Sequence, residues 1–205
     1  MARKLDISLK KQPKQQRAIA TVEAILEAAT YILKRHGPAG FTANKVVEKA
    51  GVNIASFYQY FPNKEALLFH LTQLTWERQF AQLAPILERP GPAHADKLRE
   101  FIHAFFLIEA AEADLRRALR LAAVELKDTS EFRTLIAKGV ELTRTFIQEA
   151  VRNQTPQDLD FHVDFIVLLT TSFAERTTDE GTSGAELVRQ ADLLTDMLAG
   201  HFKMA

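Results

Sequence analysis

The chain contains no cysteine, which excludes disulfide staples, thiolate zinc sites and thiol redox chemistry. It has no surplus of either charge: 26 Lys and Arg stand against 26 Asp and Glu, so the whole-chain balance names no partner. Long apolar runs are missing as well. The most apolar stretch, Phe161 to Phe173, contains Asp164 and falls short of the ~20 residues that a bilayer-spanning helix needs. The opening MARKLDISLKKQPKQQR is basic without the apolar core of a signal peptide. These absences predict a soluble, cytoplasmic protein with no membrane partner. Catalytic patterns are equally scarce. The six histidines, at positions 36, 70, 94, 103, 162 and 201, show no metal-ligand spacing such as HExxH, and no nucleophile motif surrounds any serine. Glu109, Glu112 and Asp114 read as a solvated helix end rather than a metal site. No metal, no cofactor and no enzyme activity is expected.

Charge is present, but unevenly. Residues 1–65 carry eleven Lys or Arg and five Asp or Glu, a net of +6; the other 140 carry fifteen and twenty-one, a net of −6. A basic first third on an acidic remainder is the pattern of a nucleic-acid-binding head on a non-binding body. Residues 1–17 hold Arg3, Lys4, Lys10, Lys11, Lys14 and Arg17 against Asp6 alone. With Pro13 and several glutamines they read as a flexible basic arm, able to follow a DNA backbone or simply to solubilise.

From Ala18 to Arg35 apolar residues recur every three or four positions, the stripe of an amphipathic helix, and Gly37-Pro38 ends it. Thr42 can cap a short helix bearing Val46, Val47 and Ala50; Gly51 stops it, and Asn53 can cap a second from Ile54 to Tyr60. Phe61-Pro62 breaks the pattern, because a residue before proline is pushed out of the helical region. Two short helices joined by a tight turn with Gly make a helix-turn-helix, whose second helix enters the DNA major groove. An ordinary corner of an all-helical domain has the same local pattern.

Asn63-Lys64-Glu65 begins a helix to about Leu87, roughly 36 Å long at 1.5 Å per residue, with Pro85 as a point of kinking or ending. Arg89-Pro90-Gly91-Pro92 is a clear break. Helical patterns follow over Ala95 to Ala110, Leu115 to Leu126, Ser130 to Val151, then from caps at Thr155 or Asp158 to Arg176, and Ala185 to Leu198. The helix ending at Arg176 is apolar over most of its circumference, which predicts burial on both sides. With the last helix it is expected to form a four-helix interface between two copies of the chain, the alternative being that the same faces are buried within one subunit. The fold class is therefore all-α, with an N-terminal three-helix head carrying the helix-turn-helix and a C-terminal helical ligand-binding and dimerisation domain. The expected division is 1–17 arm, 18–62 DNA-binding head and 63–205 effector-binding and dimerisation body.

The run Thr42 to Leu67, T…V-V-x-x-A-G-V-N…F-Y-x-Y-F-P-N-K-E-x-L, resembles the signature of the TetR/AcrR family of bacterial transcriptional regulators. The likeness extends over roughly residues 17–68, taking in Ile25-Leu26, Ala28-Ala29 and the Gly37 to Thr42 connection. It implies a homodimeric repressor, less often an activator, on a palindromic double-stranded DNA operator, released by a small-molecule effector. By position it makes Thr42, Lys45, Tyr58, Tyr60 and Lys64 backbone contacts, and places Asn53, Ile54, Ala55, Ser56 and Gln59 near base edges. Ala55 stands where the family often has Gly, and Asn53 where it often has Ser or Thr. The side chains suit these roles chemically. Tyrosine hydroxyls and lysine ammonium groups bind phosphates, Gln pairs with adenine, and Ile or Ala meets a thymine methyl.

An effector pocket needs apolar walls and a few polar groups. Trp76, Phe80, His103, Phe106, Glu109, Glu141, Phe165 and Thr170 lie on body helices and offer both, although core packing or exposure accounts for each taken singly. Fourteen Phe against three Tyr favour an aromatic or hydrophobic ligand. A helical protein-binding module without operator affinity is the rival reading, and a helical enzyme ranks third.

Overall fold

The computed structural model describes residues 6–152 and 154–204. Among them are nine α-helices and no strand, the expected all-α class. They are α1 (Gln16–His36), α2 (Ala43–Ala50), α3 (Ile54–Tyr60), α4 (Lys64–Glu88), α5 (His94–Ala111), α6 (Ala113–Ala122), α7 (Ser130–Ala150), α8 (Pro156–Asp179) and α9 (Gly184–Phe202). Pro38–Gly40 and Val124–Leu126 form single 3-10 turns. No helix among the described residues is long and apolar enough to cross a membrane.

Two compact units emerge: Met1–Trp76 with Asp114–Arg133, and Glu77–Ala113 with Thr134–Ala205. The divide falls within α4, and the first unit also claims α6 from Asp114 onward. A single boundary near residue 62 does not contain this grouping. The stripe on α6 tells that Leu115, Ala118 and Leu119 are buried, but not by which neighbours.

In the first unit α1 packs on α2 and α3 through Val22, Ile25, Ala29, Ile32 and Leu33. Thr42 caps α2 by accepting from the Lys45 N–H at 3.3 Å. Gly51 ends α2 in the left-handed region (φ 66°, ψ 28°). Its N–H bonds to the Glu48 carbonyl at 3.3 Å and that of Val52 to Val47 at 3.1 Å, the paired bonds of a Schellman motif. Asn53 then caps α3, its Oδ1 accepting from Ala55 N–H at 2.8 Å. The N–H of Phe61 closes α3 on the Phe57 carbonyl at 2.9 Å. Asn63 caps α4 through Ala66 N–H at 2.7 Å. Pro85 does not end α4, which continues to Glu88.

Residues 6–10 depart from the expected flexible arm. Ile7 is 2% exposed, and the Lys10 N–H donates to the Tyr60 carbonyl at 2.9 Å. Composition called this stretch solvated because one isoleucine among lysines and glutamines carries little weight in an average.

In the second unit α5 packs on α8 and α9. The core is built from Leu98, Ile102, Phe106, Phe146, Ile147, Val163, Ile166, Leu194 and Leu198, among others. A polar seam joins α5 to α9. Arg99 bonds to Asp192 at 2.6 Å and to Asp196 at 2.5 Å, and His103 Nε2 donates to Asp192 at 2.9 Å. Thr155 and Asp158 form a capping box at the start of α8, with Pro156 in the first turn. The hydroxyl that caps α7 belongs to Thr129, which accepts from Phe132 N–H at 3.3 Å. Ser130, the expected cap, is instead the first residue of the helix.

The expectation that α8 is buried on both sides is corrected within this chain. Val163, Ile166, Thr170 and Ala174 face the core, whereas Phe161 and Leu168 are 65% and 60% exposed, and Met197 on α9 is 60% exposed.

Two outcomes follow from this geometry. Replacing Gly51 by Ala, with its left-handed φ, is expected to destabilise the first unit by about 1–2 kcal/mol, and Gly51→Asn by less; denaturant titration of both variants measures the difference. Hydrogen bonding from His103, and next from Arg99, holds the Asp192 carboxyl below its ordinary value of 3.8. Stability from a depressed carboxylate is full above that ordinary value and is lost as pH falls through the lower one. Thermal melts from about pH 5 downward should therefore show a steeper acid loss in the wild type than in Asp192→Asn. Parallel curves would show that the seam contributes nothing.

Candidate nucleic-acid interface

On α3 the side chains sort by helical period. Phe57 and Tyr60 are buried, while Ile54, Ala55, Tyr58 and Gln59 are exposed, so positions i, i+1, i+4 and i+5 form one outward strip. Phe57 anchors that strip from beneath. Its ring lies 5.6 Å from Phe61 and meets Tyr58 edge-on at 5.2 Å and 85°. Phe61 in turn lies 6.0 Å from His70 on α4. Tyr58 remains 46% exposed, with its hydroxyl available to a phosphate.

Thr42, Lys45 and Asn53 are exposed at the starts of α2 and α3, and Ser56 is half-buried. Lys64 is exposed in the first turn of α4, where free amides already favour an anion. Its ammonium sits 3.9 Å from Glu65, a surface pair of little strength that a phosphate can replace. Lys49 lies 4.0 Å over the Tyr31 ring and pins α2 to α1. Nine of the ten residues expected at DNA are thus exposed or half-buried in the first unit. Tyr60 is the exception and a correction: it is 5% exposed and packs inward, because a residue two positions beyond Tyr58 lies on the other side of a helix.

The eight residues expected at an effector differ in burial and in partners. Phe106 is fully buried core, edge-on to Phe173 at 5.8 Å. Glu109 is buried and accepts from Gln79 at 3.3 Å, and Thr170 is buried. His103 belongs to the α5–α9 seam. Glu141 points to solvent, 3.9 Å from Arg144. Phe165 is exposed and stacks on Phe161 at 5.8 Å and 12°. Phe80 is half-buried beside Gly139, where an added Cβ would meet its Cζ at 3.0 Å. Trp76 is half-buried in the first unit. A groove of about 600 Å³ lies where α7 gives way to α8, lined by Gln148, Val151, Arg152, Gln154, Thr155, Pro156 and Leu159. None of the eight lines it. Sequence reasoning missed this groove because loop residues carry no periodic signal, and missed Ile7 and Lys10 as parts of the head.

Comparison with known proteins bears on the same segment. Residues 25–71 match the family model described as bacterial regulatory proteins, tetR family. The HTH-type transcriptional regulator EthR of Mycobacterium tuberculosis is 27% identical over 142 residues, 68% of this chain. The matched region spans 66% of that relative's length, just under two thirds. Among solved structures, FadR of Bacillus subtilis in complex with stearoyl-CoA has a TM-score of 0.73 at 17% identity, covering 86% of this chain and 96% of its own. SmeT, the repressor of the Stenotrophomonas maltophilia multidrug efflux pump SmeDEF, has a TM-score of 0.71 at 17% identity over 93% of both chains. At such identities the structures speak for the fold. The capped two-helix unit and its outward strip on α3 fall within residues 25–71, the segment that is similar to the tetR family of bacterial regulatory proteins.

Proposed function

We propose that the chain is a DNA-binding transcriptional regulator, a homodimeric repressor released from a palindromic operator by a small hydrophobic or aromatic ligand. The outward strip on α3, flanked by Lys45 and Lys64, is the observation that carries this reading. Gln59 and Ile54 supply base-edge chemistry, and Thr42, Lys45, Tyr58 and Lys64 supply phosphate contacts. Residues 18–62 are the head in this reading, and 63–205 hold effector and dimer functions. Its place of work is the cytoplasm, where the DNA is.

Exposed apolar side chains on α8 and α9 support the dimer. Phe161, Phe165 and Leu168 recur at four and three residues along α8, and Leu193 and Met197 at four along α9. Water-exposed stripes of this size are characteristic of protein interfaces. The hydrophobic ligand draws support from the phenylalanine-rich body and from FadR, the fold neighbour solved with stearoyl-CoA. A regulator of this kind needs a ligand that distinguishes two head geometries energetically.

Operator binding is tested by selecting sites from a random double-stranded library and measuring affinity against salt. Lys45→Ala should reduce the slope of log K against log salt by about 1, and Gln59→Ala should cost about 1–3 kcal/mol at one base position. A wild-type protein that enriches no sequence, while binding another protein through α3, would establish the rival protein-binding reading. For the dimer, Leu168→Glu with Met197→Glu should convert the sedimenting species from two chains to one while leaving the helical spectrum intact. A wild type that sediments as one chain at micromolar concentration would refute the interface.

A further inference from the structure

We propose that residues 6–10 are a strap that positions the reading helix α3, so that this segment sets operator specificity rather than only adding positive charge. The proposal rests on the regulator reading above and adds residues to its machinery.

The need for such a strap lies in α3 itself. Seven residues are too few for a helix to persist by its own hydrogen bonds, and the last four carbonyls of any helix have no partner within it. Phe61 N–H satisfies the Phe57 carbonyl. Lys10 satisfies two more: its ammonium donates to the Tyr58 carbonyl at 3.2 Å and its backbone N–H to Tyr60 at 2.9 Å. A cation at a helix C-terminus also lies at the favourable end of the helix dipole. The other end of the strap is held by Asn63, whose Nδ2 donates to the Asp6 carbonyl at 2.8 Å while its Oδ1 caps α4. Both ends of that amide are used, so its orientation is fixed. Between these anchors Ile7 is buried. The Asp6 carboxylate shapes the segment by accepting from Ser8 N–H at 3.3 Å and Ser8 Oγ at 2.8 Å.

A segment that served only as counter-charge for phosphates would need no buried isoleucine. Here the contacts fall on the carbonyls of Tyr58 and Tyr60, in the last turn of the helix that carries the outward strip. The strap therefore acts on how Tyr58 and Gln59 are presented. Ile7 and Asn63 are positioning residues in this scheme.

The test uses the full chain with Ile7→Ala, with Asn63→Ser, which keeps an oxygen to cap α4 but removes the Nδ2 donor, and with Ile7→Leu as a conservative rescue. Hydrogen exchange needs no operator. Loosening the strap should speed exchange of the α3 amides at least ~5-fold in the first two variants, with α1 and α9 unchanged. Unchanged α3 amides, or uniform acceleration, would overturn the strap. On a DNA site selected by the wild type, the first two variants should lose roughly tenfold in affinity. Their binding to random-sequence DNA and their salt slope should stay as in the wild type, and Ile7→Leu should restore specific binding. Equal loss on both DNAs with a shallower salt slope would make the segment a phosphate contact and refute the positioning role, as would unchanged specific affinity. Failure of the wild type to select any site counts against the regulator reading, while the exchange result still decides the strap.

Discussion

A seven-residue helix in water lacks the length to pay back its own nucleation, and α3 is such a helix. Much of the first unit supplies what it lacks. Asn53 caps its start, Phe57 and Tyr60 bury its inner side, and Phe61 and Lys10 take up its final carbonyls. The Schellman turn at Gly51 sets where it begins, because only a left-handed residue reverses the chain so quickly. The placement of α3 is thus set by contacts at its two ends and along its inner side. The proposed reading of base edges has that requirement, since a small displacement loses a bidentate hydrogen bond.

The second unit works under the opposite condition. Its helices run to 18 residues and more, so their persistence is not in question, and what must be set is their register against each other. The apolar core built on Phe106, Ile102, Ile147 and Val163 holds the helices together. On its surface the charged seam links α5 to α9, where Arg99 reaches two carboxylates one turn apart and His103 shares one of them. The same helices leave Phe161, Leu168 and Met197 outside the core, which is consistent with their use against another copy of the chain.

Much of this was legible beforehand. Thr42, Gly51, Asn53 and Asn63 each carry a local chemical signal, a cap or a left-handed turn, that acts through its nearest neighbours. The apolar stripe on α1 and the start of α4 were equally plain. Where local signals compete, the reading slipped. Thr129 and Ser130 are both good caps, and the cap is Thr129. Tyr58 and Tyr60 look alike in sequence, yet two residues along a helix turn one ring outward and the other inward.

The sequence by itself determined the helical class, the two short helices with their caps and turn, and the charge division between the first third and the rest. All of these depend on residues within a turn or two of one another. Tertiary structure alone decided that Ile7 and Lys10 belong to the head and that α6 joins the first unit. Those outcomes depend on contacts between residues tens of positions apart, such as Lys10 with Tyr58. A helical stripe shows that a face is buried without saying what buries it.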